Sequence, residues 1–129
     1  MKLGQICYWY TDKAKGYETR PKYHVFLTYV SAPHDAFAFL FINKTDYGND
    51  YRIWKKDYDF LTLDFSFVDT QDILLYKHSE LTAFAPKACG QLSKSHMVEL
   101  FNALQKSERM TGYNIKLACE ALKGAFALP

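Results

Sequence analysis

The strongest β-sheet signal in the chain is residues 22–42, which read KYHVFLTYVSAPHDAFAFLFI. Lys22–Val30 is rich in the aromatic and β-branched residues that favour strands, and Ser31–Asp35 has the Pro and polar residues of a turn. Ala36–Ile42 is apolar throughout, which indicates a central strand buried on both faces. Alternation along the first of these strands predicts one face with Val25, Leu27 and Tyr29, and the other with His24, Phe26 and Thr28.

Further strands are predicted on both sides of this pair. Upstream, Gln5–Tyr10 is an apolar and aromatic strand, and Thr11–Pro21 is a polar loop that contains Gly16. Downstream, Asn43–Asp50 is a polar loop. The other strand candidates are Tyr51–Trp54, Phe60–Phe67, Asp69–Tyr76 (for which a short turn of helix is the alternative) and Leu81–Ala85.

The last third of the chain has helical periodicity. Ser93 is a suitable N-cap, because its hydroxyl can accept a hydrogen bond from a free backbone N–H of the first turn. A second helix is predicted over Tyr113–Lys123. The apolar residues of the first helix recur at helical spacing: Met97, Leu100, Phe101 and Leu104.

These elements predict a single domain over residues 1–129, β-rich over 1–90 with a helical tail over 91–129. The predicted fold class is α+β and mainly β. Several short strands followed by helices indicate a small barrel or curled antiparallel sheet, with the C-terminal helices packed on it.

Composition excludes several classes of protein. With 129 residues, 49% of them hydrophobic, the chain can bury a core and does not have the composition of a disordered protein. A net charge of +2 argues against a strongly basic, histone-like nucleic-acid binder. Residues 1–45 nevertheless hold six Lys/Arg and three Asp/Glu, whereas residues 46–92 hold five and eight. A cationic site is therefore expected in the first segment.

Cys7, Cys89 and Cys119 are an odd number of cysteines with no CxxC pair, so we expect reduced, mostly buried thiols and no thiolate zinc site. A catalytic Cys paired with a distant His stays open. The first residues lack the pattern of a signal peptide, and the longest apolar runs are far shorter than the roughly 20 residues of a membrane span. We therefore expect a cytoplasmic protein without a membrane segment.

No metal or cofactor is expected. The chain contains neither of the Gly-rich motifs that bind nucleotide phosphates. Asp57, Asp59 and Asp64 suggest a metal site, but they lie beside Lys55 and Lys56, and an exposed hairpin of mixed charge explains them better.

Four pieces of sequence, in order along the chain, resemble the MazF/PemK-type toxin endoribonucleases. Two are Gly4, ahead of the first strand, and Gly16–Pro21 (GYETRP), which leads into the strand at His24. The others are Phe39–Thr45 (FLFINKT) and Gly90–Ser93 (GQLS), which leads into a terminal helix. The resemblance covers most of the chain at low identity. Two features depart from the family: residues 68–72 (VDTQD) match its Asp-Gln pair imperfectly, and the helix at 113–123 is an addition.

The resemblance implies an SH3-like barrel, usually a homodimer, that cleaves single-stranded RNA without a metal and is bound by a cognate antitoxin protein. The implied products carry a 2′,3′-cyclic phosphate and a 5′-hydroxyl. Arg20 corresponds to the catalytic arginine of the family, and a guanidinium can hold two phosphate oxygens of the transition state. Thr45 corresponds to the catalytic Ser/Thr, whose hydroxyl would hydrogen-bond a phosphate oxygen. The alternatives are an exposed loop charge for Arg20 and a turn residue for Thr45.

Other residues are weaker site candidates. Glu18 is a candidate base or partner of Arg20, and His24 has the intrinsic pKa for acid–base catalysis; an exposed carboxylate and a packed histidine are their alternatives. Lys22 and Lys44 are candidates for holding RNA phosphates. Unpaired bases stack on aromatic rings, and the candidate platforms are Tyr17, Tyr8, Trp9, Tyr10 and Tyr23.

A second class of function stays open. The chain can instead be a non-catalytic interaction or inhibitor protein, carried by a phage or plasmid, that binds a host protein or RNA through the same small barrel. Its ten Tyr residues suit this alternative, because Tyr is favoured at protein interfaces.

Overall fold

The computed structural model describes residues 1–14 and 19–129, and the strands found there form one curled antiparallel sheet. They are β1 (Gln5–Thr11), β2 (Arg20–Val30), β3 (Ala36–Asn43), β4 (Tyr51–Trp54), β5 (Phe65–Val68), β6 (Leu74–Lys77) and β7 (Lys87–Gln91). The strand order is β4-β5-β3-β2-β1-β7, and β6 pairs with the first half of β3. The strand predicted to be central, β3, therefore has neighbours on both sides. It pairs with β2 along one edge, and along the other edge its first half pairs with β6 and its end pairs with β5.

Three α-helices accompany the sheet in the described part of the chain: α1 (His78–Phe84), α2 (Lys94–Gln105) and α3 (Gly112–Leu122), the last followed by a 3-10 helix (Lys123–Ala127). The C-terminal helices pack against the sheet, so the predicted fold class is confirmed. The Ser93 hydroxyl accepts a hydrogen bond from the backbone N–H of His96 at 3.2 Å, as predicted for the N-cap of α2.

The two faces of the sheet bury different clusters. One face, with Val25 and Leu27, packs against the apolar side of α2 and α3. The other face carries a mainly aromatic cluster that includes Phe26 and contacts α1 through Leu81. The predictions for Thr28 and Tyr29 were wrong, because a β-bulge between Phe26 and Thr28 shifts the alternation. Thr28 pairs with Ala38 of the helix-packed face, and Tyr29 lies beside Phe37 on the aromatic face.

Three predicted strands differ from the structure, and the one predicted over Asp69–Tyr76 is limited to β6. Leu81–Ala85 lies largely in helix α1, because Glu80 accepts a hydrogen bond from the backbone N–H of Lys77 and caps a helical turn. The apolar side chains Leu81 and Phe84 then share one side of that turn and pack on the aromatic cluster. The strand predicted over Phe60–Phe67 is limited to β5, after an irregular loop.

The three cysteines are reduced, and most of them are shielded from solvent. All three are free thiols; Cys7 and Cys119 are buried and Cys89 is half-buried, as predicted. Loss of hydration raises the pKa of the Cys89 thiol to about 11, so it stays protonated at neutral pH.

In the part of the chain that the structure describes, none of the helices combines the length and apolarity that crossing a membrane requires.

Candidate functional site

A cleft of about 400 Å³ opens at the end of the sheet where β2 begins and β3 ends. Because β2 and β3 are antiparallel neighbours, the start of one lies beside the end of the other. Arg20 is the first residue of β2, and Asn43 is the last residue of β3. The topology therefore brings the segments at 20–22 and 43–45 together, although they are far apart in the sequence.

Four residues predicted to form the site line this cleft: Arg20, Lys22, Lys44 and Thr45. Three of them are cationic, and none of the described residues that line the cleft is an Asp or Glu. The cleft therefore has a local concentration of positive charge, and it lies in the segment where a cationic site was expected. Such a surface suits a phosphate group or another anion.

A side pocket of about 70 Å³ adjoins the cleft and shares Arg20, Lys22 and Asn43 with it. Asp69 and Asp72 contribute to the wall of this side pocket. Asp69 is buried and bonded to Asn43, whereas Asp72 is exposed, so acidic side chains adjoin Arg20 and Lys22 in the side pocket.

Lys22 is held by a chain of hydrogen bonds that leads into the protein. Its Nζ donates to Oδ1 of Asn43, and Nδ2 of Asn43 donates to Oδ2 of Asp69 at 3.2 Å. Oδ1 of Asp69 accepts from the backbone N–H of Gln71 at 2.6 Å. Asn43 and Asp69 are both buried, so this chain fixes the position of the Lys22 amine at the wall of the cleft.

The charges around Lys22 affect its proton affinity. Burial lowers the pKa of the Lys22 amine, the Asp69 carboxylate opposes this, and the nearby charges of Arg20 and Lys44 lower the pKa further. Burial raises the pKa of Asp69, partly offset by the hydrogen bonds that its carboxylate accepts. Lys22 therefore releases a proton more readily than a lysine in water.

The loop after β3 presents Thr45. The turn is formed by Asp46, whose Oδ1 accepts hydrogen bonds from the backbone N–H groups of Gly48 at 2.9 Å and Asp50 at 3.0 Å. The Thr45 side chain is exposed and makes no hydrogen bond with residues 1–14 or 19–129. Asp46 thus has the turn-stabilising role considered for Thr45, and the Thr45 hydroxyl is available to a ligand.

The structure places His24 in the aromatic cluster, where it is 0% exposed and does not line the cleft. Its ring stacks on Trp9 with 3.4 Å between centroids, and its Nε2 lies 2.9 Å from the hydroxyl of Tyr76. Tyr76 in turn bonds Thr11 at 2.7 Å. Burial lowers the pKa of His24 to about 3, so the ring is neutral at physiological pH. This placement matches the packed-histidine alternative, and its catalytic role stays a prediction.

The other candidates are distributed between the cleft and its surroundings. Tyr8 and Tyr23 line the cleft with ring centroids 4.8 Å apart, whereas Tyr10 is exposed elsewhere and Trp9 is buried. Glu18 and Tyr17 lie outside the described residues.

Sequence reasoning missed Asn43 and Asp69 as site residues. Both have a signal in the sequence, because each is a polar residue at the end of, or directly after, an apolar strand segment.

Within residues 1–14 and 19–129, no group of three or more His, Cys, Asp or Glu side chains is arranged to hold a metal ion.

No protein-family model matches the chain, and no curated protein matches it.

Proposed function

We propose that the chain is a metal-independent endoribonuclease that cleaves single-stranded RNA, the toxin component of a MazF/PemK-like toxin–antitoxin pair. The observation that supports this proposal is the cleft, where Arg20 and Thr45, the two residues to which the sequence resemblance assigns catalysis, lie with Lys22 and Lys44. In the proposed assembly the active form is a cytoplasmic homodimer that the cognate antitoxin inhibits.

The proposed reaction is attack of a ribose 2′-hydroxyl on the adjacent phosphorus. The 2′ oxygen loses a proton, a cyclic phosphate forms, and the bond to the 5′ oxygen breaks as that oxygen gains a proton. Arg20 offsets the negative charge that develops on the phosphorane oxygens, and the Thr45 hydroxyl donates a hydrogen bond to one of them.

Lys22 is suited to protonate the leaving 5′ oxygen. Its pKa is lowered by burial and by the neighbouring cations, which makes the ammonium a stronger acid. Its hydrogen bond to Asn43 holds the amine at the wall that both cavities share. The sequence candidate for the base, Glu18, lies outside the described residues.

Ribonuclease activity tests the proposal directly. The purified chain should cleave a 5′-labelled single-stranded RNA in the presence of a chelator, leaving a 2′,3′-cyclic phosphate. Arg20→Ala should slow cleavage by at least about a hundredfold, the usual effect of removing a group that stabilises the transition-state charge. Its circular dichroism and thermal midpoint should stay close to those of the wild type, because Arg20 is exposed.

Lys116→Ala is the matched control, since it removes an exposed positive charge from helix α3. It should cleave at the wild-type rate. If the folded wild-type protein leaves RNA intact and its expression does not slow growth, the proposed function is wrong.

The second candidate function, binding to a protein without catalysis, is favoured by exposed Tyr side chains. Tyr10 is 58% exposed and Tyr29 48% exposed, both at positions on the sheet. For such a protein, Arg20→Ala would have no larger effect than Lys116→Ala, and Tyr10→Ala or Tyr29→Ala would weaken partner binding.

A further inference from the structure

A second surface with charged and aromatic side chains lies at the β4 edge of the sheet. We call it the edge patch; it consists of Arg52, Trp54, Lys56 and Phe65. Trp54 and Phe65 are paired aromatic residues of β4 and β5. Their large apolar rings would be expected to be buried, yet Trp54 is 40% exposed and Phe65 37% exposed. Exposed aromatic rings that lie together often mark a binding surface.

Arg52 organises the edge patch. Its guanidinium carbon lies 4.7 Å from the ring centroid of Phe65 and 5.5 Å from that of Trp54. The two rings pack edge to face, with 5.4 Å between centroids. Lys56 Nζ lies 6.0 Å from the Trp54 centroid on the same hairpin. The patch therefore presents ring surface together with two positive charges.

These charges are not neutralised by ion pairs in the described part of the chain. The ion pairs found there join Lys13 to Glu80 and Lys123 to Glu120, and neither includes Arg52 or Lys56. Asp57, Asp59 and Asp64 lie in the exposed loop that joins β4 to β5, and none of them forms an ion pair with Arg52 or Lys56. The edge patch is thus open to an anionic ligand.

Strand register connects the edge patch to the cleft. Asn43 pairs with Phe67, and Phe67 pairs with Arg52. Directly paired residues of antiparallel strands point to the same face of a sheet, so these three side chains form one row across β3, β5 and β4. With about 4.8 Å between neighbouring strands, Arg52 lies about 10 Å from Asn43 along this row.

The same face carries Lys22, since its amine donates to Asn43. Cationic side chains therefore lie at both ends of this row, Lys22 at the cleft and Arg52 at the sheet edge, with the uncharged Asn43 and Phe67 between them. A flexible polyanion with flat, stackable groups fits such a path better than a globular surface does.

We propose that the edge patch is a stacking site for an unpaired base of single-stranded RNA, next to the nucleotides whose phosphates occupy the cleft. This inference rests on the proposed function, because it places a further nucleotide of the same RNA strand. Trp54 stacks on the base, and Arg52 and Lys56 contact the flanking phosphates.

Tryptophan fluorescence tests the inference without a label on the protein. Trp9 is buried and Trp54 is exposed, so an RNA that stacks on the edge patch should quench the Trp54 emission. The probe is a 14-nucleotide single-stranded RNA of mixed sequence with 2′-fluoro groups, which cannot be cleaved through the 2′-hydroxyl. Wild type should be quenched at saturation, and Trp54→Phe should lose most of that quenching.

Affinity for the same RNA, measured by fluorescence anisotropy of a labelled probe, gives the size of the effect. Trp54→Ala should weaken binding about tenfold, in the range found for loss of one stacked base, and Arg52→Gln should also weaken it. Tyr113→Ala, which removes an exposed aromatic ring on α3, is the matched control and should bind like the wild type.

Different results separate the two proposals. If wild type cleaves RNA and Trp54→Ala binds and cleaves it equally well, the edge-patch inference is wrong while the proposed function stands. If wild type neither binds nor cleaves RNA, both are wrong. If Trp54→Ala instead converts a dimer to a monomer in sedimentation, the edge patch is an interface between copies, and the inference is also overturned.

Discussion

At the scale of single residues, Lys22 and His24 lie two positions apart on β2 but have different surroundings. Both have a pKa lowered by burial. The bulge in β2 comes after both residues, so their side chains lie on the same face of the sheet. Lys22 nevertheless reaches the cleft, whereas the His24 ring stacks on Trp9. Position along the strand, and not residue type, decides which of the two reaches the cleft.

His24 should make the stability of the protein depend on pH. In the unfolded chain a histidine gains a proton near pH 6.5, but the buried ring does so only near pH 3. Below pH 6.5 the unfolded state therefore binds more protons, and the free energy of unfolding falls as the pH falls. Between pH 7 and pH 5 this loss should be about 2 kcal/mol.

Urea unfolding of wild type and His24→Phe at pH 7 and pH 5 checks this prediction. The variant keeps an aromatic ring against Trp9, and the hydroxyl of Tyr76 retains its bond to Thr11. The fall in stability should be smaller in the variant by about 2 kcal/mol. Equal falls in the two proteins would show that His24 does not titrate as its burial implies.

At the scale of elements, caps decide where the helices begin. Ser93 and Thr111 accept hydrogen bonds from backbone N–H groups in the first turns of α2 and α3. The first of these was predictable, because a Ser precedes an apolar stripe at helical spacing. Helix α1 was mistaken for a strand, since its apolar stretch is too short to distinguish a helical period from a strand period.

Replacing Ser93 by Ala should reduce the free energy of unfolding by about 1 kcal/mol, because the N–H of His96 loses its partner at the start of α2. Chemical denaturation measures the change. The control is Ser79→Ala in α1, at an exposed position, which should change stability by less than about 0.5 kcal/mol. A Ser93→Ala protein as stable as the control would exclude a stabilising cap.

At the scale of the whole molecule, Gly4 joins the start of the sheet to the segment that leads into α2. Its N–H donates to the carbonyl of Phe26 at 2.9 Å, and its carbonyl accepts from the N–H of Leu92 at 2.9 Å. Its φ of +81° is unfavourable for other residues, and an added Cβ would lie 2.6 Å from Sδ of Met97. Close approach of the sheet and α2 therefore requires glycine at this position.

Gly4→Ala should destabilise the protein by about 2 kcal/mol, from the left-handed backbone and the contact with Met97. Gly112→Ala is the matched control, because nothing lies within 4 Å of its added Cβ and alanine suits a helix. It should leave stability unchanged or raise it by up to about 1 kcal/mol. Thermal unfolding compares the two; equal midpoints would contradict the role of Gly4.

The candidate site was predictable in part. Arg20, Lys22, Lys44 and Thr45 were identified from the sequence, and the structure brings all four to one cleft. Asn43 and Asp69 were missed, since a polar residue at the end of an apolar strand marks the strand end but does not show which side chain it will bond. The edge patch could not be predicted either, because it depends on the pairing of β4 with β5.

Patterns between near neighbours were enough to predict the central strands, the cap of α2 and the positive charge of the first segment. These features depend on the local alternation of side chains and on hydrogen bonds within a few residues. The hydrogen-bond chain Lys22–Asn43–Asp69 joins residues that are 21 and 26 positions apart in the sequence. The bulge in β2 changes the face of the sheet on which each later residue of that strand lies. Such contacts depend on strand register, which is set only when the whole sheet packs against its helices.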